Sequence, residues 1–147
     1  MKKISIILSF LLLSAILFTG CSTNKKMIDG KYKATFKTAD NHGWTDYVEI
    51  TVKDSKITEV DYDSVDKDGN KKSTDTDYEE AMKGAGSSTY PSKYMSELED
   101  DLIKKQNIND VDIIAGATTS SNDFRKLVKA LEKNISKGDT TTVEVAR

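Results

Sequence analysis

Three successive segments alternate apolar and polar residues, and two later segments repeat apolar residues every three or four positions; together they predict an α+β domain. The alternating segments come first and are joined by connections too short for a crossover, so they read as an antiparallel β-meander packed with two main helices. An apolar leader precedes the domain. The 147-residue chain thus divides into residues 1–20, 21–29 and 30–147.

Lys2 and Lys3 form a positive n-region, and Ile4 to Phe18 is apolar apart from Ser, followed by the small pair Thr19-Gly20. This is the pattern of an export signal peptide. The run falls short of the roughly 20 apolar residues that span a bilayer comfortably, although an uncleaved anchor is the alternative. Cys21, the single cysteine, follows Gly20 directly, and Ser22 to Asp29 is a mostly polar tether. A lone exposed thiol has no intramolecular partner in an exported protein, whereas a diacyl anchor on Cys21 would hold the chain stably on a membrane.

From Gly30, Tyr32, Ala34 and Phe36 alternate with Lys31, Lys33, Thr35 and Lys37, predicting a half-buried strand. Asp40-Asn41-His42-Gly43 is a turn. Tyr47 to Lys53 alternates again, with Val48, Ile50 and Val52 on one face. Asp54-Ser55-Lys56 connects to Ile57–Tyr62, where Val60 and Tyr62 share a face. Asp66 to Thr76 is a polar loop. Asp77 to Lys83 is a short helix, broken by Gly84-Ala85-Gly86-Ser87-Ser88.

Pro91 suits a first helical position, and Tyr94, Met95, Leu98 and Leu102 mark an amphipathic helix over Pro91–Lys105. Val111 to Ile114 reads as a short buried strand. The last helix is expected from about Ser121 to Ser136, with Phe124, Leu127, Val128, Leu131 and Ile135 on one stripe and Gly138 ending it. Thr140 to Val145 is either an edge strand or a frayed tail.

The net charge is −2 and opposite charges are interspersed, which gives no support for a nucleic-acid partner. Asp66-Lys67-Asp68-Gly69-Asn70 has carboxylates in a turn, but its glycine falls at the wrong offset for a calcium loop and no Glu closes it. With one His, and Cys21 assigned to lipid, no transition-metal site is visible in the sequence.

The segment that carries chemistry is Asp112-Ile113-Ile114-Ala115-Gly116-Ala117-Thr118-Thr119-Ser120-Ser121. Gly116 permits a sharp turn and Ala117 adds little bulk. Four hydroxyls then meet a helix N-terminus, where unpaired N–H groups and the helix dipole attract phosphate. The same residues also suit a purely structural reading: a small-residue turn before a helix capped by Ser120 or Ser121, with Asp123 completing a loose capping box.

Asp112-Ile113-Ile114-Ala115-Gly116-Ala117-Thr118 resembles the flavinylation motif of bacterial FMN-binding domains: Asp, two free positions, Ser or Thr, Gly, Ala, and an acceptor Thr. Ala115 departs from the usual Ser or Thr. The family includes subunits of the sodium-pumping quinone reductase and of the Rnf complex, and Gram-positive lipoproteins of extracellular electron transfer. Asn41-His42-Gly43-Trp44-Thr45-Asp46-Tyr47, Val60-Asp61-Tyr62-Asp63 and Thr118 to Phe124 are similar to segments of the pheromone-encoding lipoproteins of that group. The likeness runs from Gly30 to about Lys137. Leu17-Phe18-Thr19-Gly20-Cys21 looks like a lipobox, with Phe18 where Leu is usual.

The resemblance implies covalent FMN esterified to Thr118, with Asp112, Gly116 and Ala117 matching the motif and Thr119, Ser120 and Ser121 beside it. It implies a partner transferase of the ApbE type, because a threonine hydroxyl needs an outside catalyst and this chain has no Ser-His-Asp set of its own. It implies a carrier, anchored through Cys21 on the extracytoplasmic face of the cell membrane, that takes electrons from a quinone pool or membrane dehydrogenase and passes them to an extracellular acceptor. Alternatives are an FMN-bearing partner of a separate reductase, and a non-redox binding lipoprotein. Trp44 is a candidate to stack on the isoalloxazine, with His42 nearby; equally, Trp44 covers the sheet and His42 fills a turn. Tyr78, Tyr90 and Tyr94 read as packing residues. Leu13 to Gly20 matches the kind of segment that yields a pheromone in those relatives, though an ordinary h-region accounts for it.

Overall fold

The computed structural model describes residues 26–147; the signal peptide and Cys21 lie outside the described residues. Strand β1 is Gly30–Phe36, β2 is Thr45–Lys53 and β3 is Lys56–Val65. They form the expected antiparallel meander, with Val48 opposite both Ala34 and Tyr62. A fourth strand, β4 (Val143–Val145), pairs parallel to β1, giving the order β3-β2-β1-β4. Of the two readings of Thr140 to Val145, the edge strand is therefore the one that forms, reached by a helical crossover as parallel pairing requires.

The inner face of the sheet carries Tyr32, Ala34, Phe36, Val48, Ile50 and Val52, all buried. A register shift between Thr51 and Val52 lets Ile57 join Tyr62 on that face despite their odd spacing. The Asp54-Ser55 turn runs through positive φ at both residues without a glycine. Asp29 compensates: its carboxylate accepts the Asp54 and Ser55 N–H groups, each at 3.0 Å. Ile28 is also tied down, donating to the Ile135 carbonyl at 3.0 Å and accepting the Tyr32 hydroxyl at 2.6 Å. Contacts with the domain thus begin ahead of Gly30.

Helix α1 spans Thr76–Gly84, α2 Pro91–Lys105 and α3 Thr118–Lys137. Asp75 caps α1 by accepting the Tyr78 N–H. Helix α3 lays Phe124, Leu127, Val128, Leu131 and Ile135 across the sheet, and Gly138 ends it in the left-handed region. Helix α2 buries Tyr94, Met95, Leu98 and Leu102 against the same core.

Helix α2 and the residue that ends it, Gln106, also close the open edge of β3. The Gln106 amide accepts from Ile57 N–H and donates to Ile57 C=O, both at 2.8 Å, and Glu99 accepts the Tyr62 N–H at 2.7 Å. These side chains occupy ladder positions that an added strand would otherwise use.

The expected strand over Val111 to Ile114 does not form. Val111 N–H closes the preceding turn onto Ile108 C=O at 3.3 Å, and two further N–H groups are taken by side chains: Asp112 N–H by Asp101 at 2.8 Å and Ile114 N–H by Ser121 at 3.0 Å. Val111 is buried, Ile114 is half-buried and Ile113 stands 40% exposed, so the apolar run tops the core between α2 and α3. The β3 edge it might have joined is already occupied by Gln106 and Glu99.

Removing the double contact in Gln106→Ala should destabilise the fold by about 1–2 kcal/mol, measured by urea denaturation. Burial raises the Glu99 carboxyl from 4.5 to about 7, reinforced by Asp61, Asp100 and Asp63 and opposed by the Tyr62 N–H. The folded state then holds a proton that the unfolded chain has released, so stability falls as pH rises from 4.5 to about 7 and is level above. Glu99→Gln keeps an acceptor for Tyr62 and should flatten that decline in a pH series of denaturation midpoints.

Candidate functional site

The segment before α3 is a turn built by one buried side chain. Ala117 N–H donates to Ile114 C=O at 2.9 Å, closing the turn, and Gly116 takes φ +82° within it. The Ser121 hydroxyl, fully buried, donates to Ala117 C=O at 2.8 Å while accepting the Ile114 N–H. One hydroxyl thereby fastens the turn to the first turn of the helix.

Helix α3 therefore begins at Thr118, ahead of the expected start, and neither Ser120 nor Ser121 caps it. The N-cap is Ala117, and no side chain bonds to the first-turn amides. The first bond into the helix runs from Ser121 N–H to Ala117 C=O at 2.9 Å, so the amides of Thr118, Thr119 and Ser120 precede the ladder. Asp123 forms no capping box either; it pairs with Arg147 at 2.8 Å. Its carboxylate answers a cation brought in by the chain's last residue, an attraction that sequence spacing does not reveal.

Thr118 and Thr119 are exposed at this mouth, Ser120 is half-buried, and Gly116 is exposed. The turn is backed by buried groups. Tyr62 donates to the Ser120 carbonyl at 2.9 Å and packs its ring on Phe124 at 4.9 Å. The Tyr94 phenol lies beside Ser120, and burial pushes it up to about 12. Asp112 steadies the approach through its ion pair with Lys105 at 2.9 Å. A tetrahedral anion fits this arrangement: unbonded amides, a positive helix end and a free-standing threonine oxygen converge on one exposed place.

Trp44 stands at the same end of the sheet, since Arg147 bridges Asp46 of β2 (3.4 Å) to Asp123 of α3. Burial raises the Asp46 carboxyl, while the Ser64 hydroxyl bond and Arg147 oppose the shift. Trp44 is buried, edge-on to Tyr78 at 6.4 Å, with the Lys72 ammonium 5.6 Å from its ring centre and 4.6 Å from that of Tyr78. It also borders an open cleft of about 410 Å³ shared with Asn70, Lys71 and Thr74. Its packing role is filled. His42 is exposed in the turn, where Asp40 accepts its N–H and that of Trp44. Tyr94 packs in the core, and Tyr78 and Tyr90 are half-buried.

Ser87 and Thr89, in the loop between α1 and α2, also touch this turn. A Cβ on Gly116 would stand 3.2 Å from Thr89 Cγ2 and 3.8 Å from Ser87 Oγ. The sequence marked this loop only as a helix breaker, because the contact joins residues far apart in the chain.

Two substitutions check the turn. Gly116→Ala forces a side chain into positive φ and against Thr89, and should cost about 1–2 kcal/mol of stability. Ser121→Ala leaves the Ile114 amide unpaired and should cost about 1–2 kcal/mol. Both are read by thermal and urea denaturation.

Residues 42–132, running from the turn before Trp44 through most of α3, match the FMN-binding domain family. The chain is 38% identical over 134 residues to the 15 kDa lipoprotein of Treponema pallidum, covering 91% of this chain and 94% of that protein. It is similar to a protein of Clostridium perfringens known from a crystal structure, at 39% identity and a TM-score of 0.78, across 82% of this chain and 98% of that one. With the motif at the mouth of α3 inside the matched span, the chain belongs to the FMN-binding domain family.

Proposed function

We propose that this chain is a lipid-anchored electron carrier that holds one FMN through a phosphoester to Thr118. The observation that carries the reading is the mouth of α3. An exposed threonine hydroxyl sits at the first helical position, beside amides that no side chain caps, where a bound phosphate would take up the unpaired donors. A Ser or Thr at a helix start ordinarily serves as its cap. Here Ser121 is spent on the turn behind, and the capping explanation falls away.

Bound there, FMN supplies the redox chemistry. The chain supplies position: Ser121 and Gly116 present Thr118, Ala117 keeps the approach low, and Thr119 and Ser120 line the mouth. Asp112 braces the segment from α2. Trp44 is the candidate aromatic at this end of the sheet, but its ring is already packed against Tyr78 and Lys72, so it would meet the isoalloxazine only with the edge it shows to the cleft. Attachment requires a flavin transferase of the ApbE type. The 15 kDa lipoprotein relative supports lipidation of Cys21; that anchor, following an export signal, would put the domain on the outer face of the cell membrane. There a quinone pool or membrane dehydrogenase would reduce it and extracellular acceptors would oxidise it.

Intact mass of the mature protein, made with and without the transferase, tests the attachment. The wild type should gain one FMN ester, and Thr118→Val should lose it with a stability change within about 0.5 kcal/mol, as for an exposed side chain. An adduct surviving in Thr118→Val would move the acceptor to Thr119. Membranes supplied with an electron donor should bleach the flavin band of the anchored protein; no bleaching would remove the carrier role.

A further inference from the structure

Thr89 is 2% exposed, and its hydroxyl is the one buried side-chain polar atom among the described residues that lacks a hydrogen-bond partner. Its backbone is not at fault. Ser87 accepts the Thr89 N–H at 3.3 Å and donates to the Thr89 carbonyl at 2.7 Å, pinning the residue from both sides. Pro91, buried two residues on, starts α2 and limits the loop further. The side chain is thereby held against Gly116, its methyl 3.2 Å from where a Cβ would stand, two residues before Thr118.

A valine would fill the same volume without a buried, unpaired hydroxyl, so the domain's own packing gives no reason for threonine. A ligand does. We propose that Thr89 is a second cofactor contact, donating its hydroxyl proton in a hydrogen bond to a phosphate oxygen of the FMN carried by Thr118. This rests on the reading given under Proposed function. A phosphoester offers oxygens that only accept, and the amides at the mouth of α3 approach it from the helix side. Thr89 would approach from the α1–α2 loop across the Gly116 turn. The absence of a side chain at Gly116 is what lets the two elements meet this closely.

The test uses full-length wild type, Thr89→Val and Thr89→Ser, each prepared without and with the flavin transferase. Intact mass reports loading, the melting temperature is taken before and after loading, and circular dichroism is recorded in the flavin band. Unloaded Thr89→Val should melt no lower than unloaded wild type. On loading, it should gain less than half the increment that wild type gains, with an altered flavin band, and Thr89→Ser should recover both. An equal increment in Thr89→Val, or an equal drop in melting temperature with and without flavin, would overturn the contact and leave the Thr118 ester standing. A wild type that takes no flavin from the transferase would overturn the ester and this contact together. Should Thr89→Val not fold, Thr89→Ala is judged by the same increment.

Discussion

One buried hydroxyl, that of Ser121, ties the glycine turn to the helix that follows it. It accepts the Ile114 amide and donates to the Ala117 carbonyl. A serine so engaged cannot cap its own helix. The start of α3 therefore shifts toward the turn, and its first amides and Thr118 are left at the surface. The chemistry assigned to this domain depends on that substitution of one hydrogen-bonding role for another.

The rest of the fold holds this mouth still. Tyr62, from the inner face of β3, reaches the Ser120 carbonyl, and its ring packs on Phe124. Helix α2 supports the same strand from outside, with Gln106 and Glu99 bonded to its backbone. It also supports the approach to the turn, through Asp101 and Lys105 to Asp112. A single helix thus braces both the sheet edge and the segment that bears the motif. Buried side chains locked by such bonds lose little further entropy when a ligand arrives, which is the physical meaning of a preorganised site.

The end of the sheet beside the mouth is polar for its depth. Asp46, Asp63 and Ser64 are buried there, and Lys72 lies between Trp44 and Tyr78. Arg147 returns with β4 to neutralise Asp46 and Asp123 together and stacks 4.2 Å from the centre of the Phe36 ring. Each buried charge has an opposite partner or an aromatic face, as burial demands. The electrostatic field at this end is accordingly set by fixed groups, the condition under which a protein can tune a bound redox group.

Local pattern was enough to read the meander, the amphipathic faces of α2 and α3, the proline start of α2 and the glycine end of α3, because period and turn chemistry are written residue by residue. The motif at Asp112 to Thr118 was legible for the same reason: its spacing is local. What the sequence could not decide is which partner each polar group would take. Ser121 looked like a cap and became a staple. Asp123 looked like part of a capping box and met Arg147, twenty-four residues on. Val111 to Ile114 looked like a strand, yet the Asp112 and Ile114 amides went to side chains of α2 and α3. Thr89 was invisible until folding set it against Gly116. A hydrogen bond's worth depends on which donor and acceptor the packed chain brings within reach, and only the tertiary structure decides that competition.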